Sequence, residues 1–332
     1  MNYKESKKIL EEIKKANRIL LNCHKYPDPD SISSALATYR VLKKMGKDVK
    51  VFCSTKIPKK INFLPDFKVI EEKDFVEVSR DIDLFIILDT SDWAFATNTL
   101  KKPDNIKLIV IDHHRSNTLF GDLNLVQKDV QSNCEILYLL FNDWKIKIDK
   151  DTAKCLLTGI VSDTGVFRFP GTTARTLVIS SKLMSLGVNL QDVLFPLFYS
   201  ITLKNMKFWG YVLSNIVVDN NGKFAWVAVP HDEYLNYGGE EYLKESTASN
   251  FFQSIEGTDF GIVIVEQQKG KINISLRSRT GIDMSKLAIL LNGGGHRYAA
   301  GASINDLSFD KAVKIVLQVA RKYAKNNQKK IN

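Results

Sequence analysis

The stretch RILLNCHKYPDPDSISSALATYRVLKKMG, Arg18 to Gly46, decides the fold. A short, mostly apolar run from Arg18 to Asn22 enters a loop crowded with Pro and Asp. Apolar residues then recur at helical spacing from Ser31 to Met45 and stop at Gly46. The reading is strand, loop, helix. Downstream, Val49 to Cys53, Leu84 to Leu88 and Leu108 to Ile111 are three further strand-length apolar runs with helical or irregular segments between them. Continuous apolar strands separated by helices predict a parallel sheet covered by helices on both faces. Such open sheets bind ligands beyond the carboxyl ends of their strands, so the residues following each strand carry the functional question.

Working outward, helical patterns over Ser132 to Asp143, Asp151 to Val161 and Thr172 to Leu186 lead to a stop at Gly187. From Asn215 the texture changes to hairpins. Ile216 to Val218 and Phe224 to Val229 flank an Asn220-Asn221-Gly222 turn, and Gly261 to Val265 and Ile272 to Leu276 form a second pair. A last helix spans Phe309 to Tyr323. The expected class is α/β. A parallel-sheet N-terminal domain over 1–187 is followed by a helical linker over 188–214, a smaller α/β domain over 215–325 and a basic tail over 326–332.

The chain has 332 residues, 44% of them hydrophobic and 25% charged, which excludes a disordered, fibrous or disulfide-stapled protein. Lys+Arg 47 against Asp+Glu 37 gives a net charge of +10, suited to a phosphate-rich partner, although a Lys-heavy coding bias gives the same sum. Cys23, Cys53, Cys134 and Cys155 form no CxxC pair and read as reduced core thiols, which favours a cytoplasmic protein. Met1 to Lys15 lacks the apolar run of a secretion signal, and the apolar stretches fall far short of the ~20 residues that cross a bilayer, so no membrane is expected.

Chemistry-bearing residues cluster at the strand ends. His24, Asp28 and Asp30 follow the first strand, Asp89-Thr90 the third, and Asp112-His113-His114 the fourth; Asp163 lies in Val161-Ser162-Asp163-Thr164-Gly165. Each acid alone has a structural reading as a turn, a helix cap or a loop closure. Together, Asp28, Asp30, Asp89 and Asp163 converging on one rim would repel one another unless cations were present. Mixed imidazole and carboxylate groups suit Mn²⁺, Zn²⁺ or Fe²⁺ better than Ca²⁺. Two divalent ions would balance four negative charges and support an in-line displacement at phosphorus, hence phosphoester hydrolysis. In the second domain, Ser275-Leu276-Arg277-Ser278-Arg279 and Asn292-Gly293-Gly294-Gly295-His296-Arg297 are candidate anion-binding segments, the glycines through their backbone N–H groups.

Taken in this order, the motifs resemble the DHH/DHHA1 phosphoesterase superfamily nearly end to end. His24-x-x-Pro27-Asp28-x-Asp30 is similar to its first motif, Asp89-Thr90 to the second, Asp112-His113-His114 to the third, and Ser162-Asp163-Thr164-Gly165 with Phe167-Arg168-Phe169 to the fourth. Pro29 and Ser33 depart from it, standing where glycine is common. The resemblance implies two Mn²⁺ ions, one held by His24, Asp28 and Asp89 and the other by Asp30, Asp89, His113 and Asp163. It implies Asp112 and His114 as catalytic residues, and Arg277, Ser278, Gly294, Gly295 and His296 as substrate-binding.

Within the superfamily the two-domain length resembles the NrnA-type oligoribonucleases, or nanoRNases. That implies an exonuclease of very short RNA oligonucleotides that also converts 3′-phosphoadenosine 5′-phosphate (pAp) to AMP. The alternative within the superfamily is a phosphodiesterase of cyclic di-AMP or linear pApA; a non-catalytic nucleic-acid-binding module is the alternative of another class. A homodimer is compatible with all three.

Overall fold

A computed structural model describes residues 2–103, 105–239, 251–295 and 297–328. The chain divides into two units, Met1–Ser200 and Ile201–Asn332.

The first unit is built on six parallel strands: β1 (Arg18–Cys23), β2 (Asp48–Cys53), β3 (Ile70–Glu72), β4 (Leu84–Leu88), β5 (Lys107–Asp112) and β6 (Leu123–Val126). Their order across the sheet is β3-β2-β1-β4-β5-β6, so the chain winds outward from β1, returns to β4 and winds outward the other way. The register sets Ile19 beside both Val49 and Leu84, and Leu88 beside Ile111. Alternate side chains feed two cores. Ile19, Leu21, Ile86, Leu88, Ile109 and Ile111 belong to the larger core, shared with the helices α1 (Ser6–Lys15), α2 (Pro29–Lys44), α5 (Asn133–Asp143) and α6 (Lys150–Asp163). Leu20, Phe52, Phe85, Ile87, Leu108 and Val110 belong to the smaller, closed by α3 (Phe75–Val78) and α4 (Trp93–Thr97). Helices on both faces follow from strands that are apolar on both sides.

Two strands, β3 and β6, escaped the sequence reading; at 3 and 4 residues they are too short to show a period. The first motif's departure from glycine has a local explanation. Asp28 caps α2, its carboxylate accepting from Ser31 N at 2.9 Å, and Pro29 occupies the first helical position, where no N–H is required.

The second unit holds the strands β7 (Val217–Asp219), β8 (Phe224–Val229), β9 (Phe260–Gln268), β10 (Lys271–Ser278), β11 (Gly294–Gly295) and β12 (Ala299–Asn305) in a mixed sheet ordered β11-β12-β10-β9-β8-β7, antiparallel except where β8 runs parallel to β9. One face is covered by the helices Met284–Ile289 and Phe309–Gln328; Phe208 and Val212, from the helix Leu203–Ser214, lie in the core of the other. The segment 188–214 is shared out between the units: Val188, Val193 and Leu194 enter the first core, Phe208 and Val212 the second. The triple glycine also gains a strand, since Gly294–Gly295 forms β11 against β12 (Ala299–Asn305).

Candidate metal centre

At the reversal of strand order, β1 and β4 are neighbours whose outgoing loops diverge, and the crevice between those loops receives the side chains. β1 delivers His24, the start of α2 delivers Asp28 and Asp30, β4 delivers Asp89, β5 delivers Asp112, His113 and His114, and the last residue of α6 is Asp163. Three groups result, each with one ligand-type atom per residue lying within 4.8 Å of the others: His24 with Asp28 and Asp89, Asp30 with His113 and Asp163, and Asp89 with His113 and His114. Asp89 belongs to two of them. Its backbone is left-handed, φ +55°, with its N–H donating to Ile111 O at 3.0 Å, and its side chain is buried.

The imidazoles reveal what the centre is built to hold. His24 Nδ1 lies 3.0 Å from Lys25 O, and His113 Nδ1 lies 3.1 Å from Val130 O. A carbonyl only accepts, so each Nδ1 carries the hydrogen. In a neutral ring Nε2 then presents a lone pair. His24 Nε2 points it at Asp28 Oδ2 (3.7 Å) and Asp89 Oδ2 (3.8 Å); His113 Nε2 points it at Asp89 Oδ1 (3.1 Å) and Asp163 Oδ2 (3.5 Å). Lone pairs facing carboxylates repel unless a proton or a cation lies between them. Both oxygens of Asp89 are buried, and among the described residues no donor other than the imidazole nitrogens around it faces them, an arrangement costly for a carboxylate and natural for a metal ligand.

The electrostatics agree. Burial pushes the Asp30 carboxyl up to about 7, with the Asp89 charge adding to it, although Cys134 opposes. Burial and the charges of Asp30 and Asp28 hold Asp163 well above the carboxylate range. Burial opposes charge on His24, yet Asp28 and Asp89 raise it to about 9, and His113 is likewise raised against its burial by Asp89 and Asp163. Burial opposes charge on Asp28 as well, yet His24 beside it holds that carboxyl well below the carboxylate range, so Asp30 and Asp163 are the acids that retain protons and His24 and His113 the imidazoles that gain them, in place of other positive charge. The donor set of nitrogen and oxygen fits Mn²⁺ or a similar divalent ion.

Supporting groups fix these side chains. Asp30 receives Ser132 Oγ at 2.9 Å, Asn133 N at 2.6 Å and Cys134 N at 3.2 Å, the amides at the start of α5. The ring of Phe95 stacks on His24 at 4.9 Å. Asp112 accepts from His114 Nδ1 at 2.7 Å on one oxygen and from Asn117 Nδ2 at 2.6 Å on the other. Asn117 Nδ2 also reaches Thr90 O at 3.1 Å, tying the loop after β4 to the loop after β5. Sequence reasoning missed Asn117, and its position three residues beyond His114 was the one available signal.

In the second unit, Arg277 lines a cleft of about 560 Å³ with Asn273, Ser275, Gly293, Gly294 and Gly295. A Cβ on Gly293 would meet Gly301 O at 2.1 Å, and Gly295 has φ +136°, so close approach to β12 dictates both; Gly294 alone faces open space. Ser278 is buried, does not line the cleft, and accepts Gly281 N on its hydroxyl at 3.0 Å. His296 lies outside the described residues.

Comparison with known proteins follows the same division. Residues 18–160 match the DHH family, N-terminal domain, and residues 243–324 match the DHHA1 domain. The chain is 29% identical to the bifunctional oligoribonuclease and PAP phosphatase NrnA of Thermus thermophilus, over 96% of this chain and 94% of that one. It is 24% identical to the cyclic-di-AMP phosphodiesterase PdeA of Listeria monocytogenes, over 96% of this chain but 50% of the relative. Among solved structures, an exopolyphosphatase-related protein from Bacteroides fragilis superposes with a TM-score of 0.90 at 25% identity, covering 96% of each chain.

Proposed function

This chain belongs to the DHH/DHHA1 superfamily, and from that premise we propose that it is a cytoplasmic, Mn²⁺-dependent phosphoesterase that degrades very short oligoribonucleotides to mononucleotides and converts pAp to AMP. The observation that carries the reading is Asp89, a buried carboxylate faced, among the described residues, by imidazole nitrogens and no other donor, and shared by two groups of ligand-type side chains. His24, Asp28 and Asp89 would hold one ion, and Asp30, Asp89, His113 and Asp163 the other. The ions would supply Lewis-acid charge at phosphorus and acidify water near neutral pH.

The chain's own groups do the rest. Asp112 engages Nδ1 of His114, which fixes the ring and leaves Nε2 as the atom that meets a phosphoryl or leaving oxygen. Asn117 holds Asp112 from its other side. In the second unit the Arg277 guanidinium and the backbone at Gly294 and Gly295, open at Gly294, with His296 next in the chain, would bind a phosphate group of the substrate. Ser278 supports the turn after Arg277.

The test is a time course on 5′-labelled RNA of two to twenty-four nucleotides with Mn²⁺, run beside pAp and cyclic di-AMP. Rapid conversion of the shortest oligonucleotides to mononucleotides together with release of AMP from pAp is the expected result. The match to PdeA favours a second reading, and preferential turnover of cyclic di-AMP or pApA would replace the first with it. No hydrolysis of any of them with metal present would sink both.

A further inference from the structure

Tyr26 lies midway between His24 and Asp28, yet it takes no part in the centre they form. It is 72% exposed, and its φ of +54° places an aromatic residue in the left-handed region. The loop is tied down nonetheless. His24 N donates to Ser31 Oγ at 3.0 Å, Lys25 N to Phe95 O at 2.9 Å, and Tyr26 N to Thr55 Oγ1 at 2.8 Å. Three successive amides are anchored to three different parts of the fold, so the ring is carried outward on a fixed arm. Among the described residues no second ring stacks on it; Lys25 Nζ lies 5.5 Å from its centroid.

A strained backbone that holds a large apolar ring in water adds nothing to the core, and strain of this kind persists where surrounding bonds impose it for use. The use must involve something that arrives from solution beside a phosphoester-cleaving centre. A nucleobase fits, because its π-face stacks on an aromatic ring whatever the base, and Lys25 adds a cation where the attached sugar-phosphate would run. We infer that Tyr26 is the stacking platform for the base of the nucleotide under attack, so that the site selects nucleobase-bearing phosphoesters over base-free ones such as polyphosphate or sugar phosphates. This rests on the phosphoesterase reading of the same centre and narrows its substrate class.

The experiment compares full-length wild type, Tyr26→Ala and Tyr26→Phe, with Mn²⁺, on pApA and on the same dinucleotide lacking both bases. The ratio of kcat/KM between the two substrates falls about 5- to 100-fold in Tyr26→Ala, mainly through KM, and stays near the wild-type value in Tyr26→Phe. An unchanged ratio in Tyr26→Ala overturns the inference. A second arm measures calorimetric binding of AMP and of ribose 5-phosphate. Preference for AMP that is lost in the alanine variant and kept in the phenylalanine variant supports the platform, and equal binding by wild type refutes it. If wild type hydrolyses neither dinucleotide, the reading of the centre fails while the binding arm still decides the role of Tyr26.

Discussion

Asp89 is the carboxylate on which two ligand groups meet, and its backbone is held in a left-handed turn. Asp89→Ala should therefore abolish turnover and lower bound metal together, measured by elemental analysis of protein purified in Mn²⁺; full metal content with near-normal turnover would contradict the sharing. Asn117 acts at one remove. Truncation to Ala withdraws a hydrogen bond from buried Asp112 and another from Thr90 O, a loss of about 1–3 kcal/mol in stability by analogy with other buried partners. The expected signature is a kcat reduced about tenfold or more with metal content retained, and loss of metal instead would place Asn117 in the ligand scaffold. The sequence revealed the ligand types, since imidazoles or carboxylates stood directly after the apolar runs that became β1, β4 and β5. It concealed Asn117, because a bond between side chains on neighbouring loops depends on the sheet order that brings those loops together.

Elements deliver these residues, and their packing is as exacting as the ligands. α6 passes the start of α2 so closely that a Cβ on Gly159 would lie 2.2 Å from Asp30 Oδ1 and 2.4 Å from Cys134 Sγ. Asp30 is clamped by three bonds from Ser132, Asn133 and Cys134 and has little freedom to yield. Gly159→Ala should accordingly cost about 1–3 kcal/mol in urea unfolding and weaken metal retention in the same variant. Normal retention would show that Asp30 can move without harm. The long strands β1, β4 and β5 were legible because apolar runs such as Leu84–Leu88 are buried on both faces. β3, β6 and β11 were not, because 3, 4 and 2 residues carry no pattern, and in β11 glycine has no side chain to alternate.

Over the whole molecule, the net charge of +10 and the acidic centre pull in opposite directions. Basic charge alone predicts salt-sensitive binding to long RNA without cleavage; a metal-loaded centre predicts cleavage of short RNA and stabilisation by the ions themselves. Mn²⁺ should raise the thermal midpoint, by an amount equivalent to about 2.7 kcal/mol at a concentration a hundred times its Kd, and EDTA should reverse the rise. A midpoint indifferent to both would favour the purely basic reading. Among the described residues no helix is long and apolar enough to cross a membrane. The centre is also spread thinly along the chain, from His24 to Asp163. A nascent polypeptide emerging from the ribosome therefore cannot complete it until α6 has cleared the exit tunnel and docked. Metal capture would then follow the docking of α6 and could not precede it.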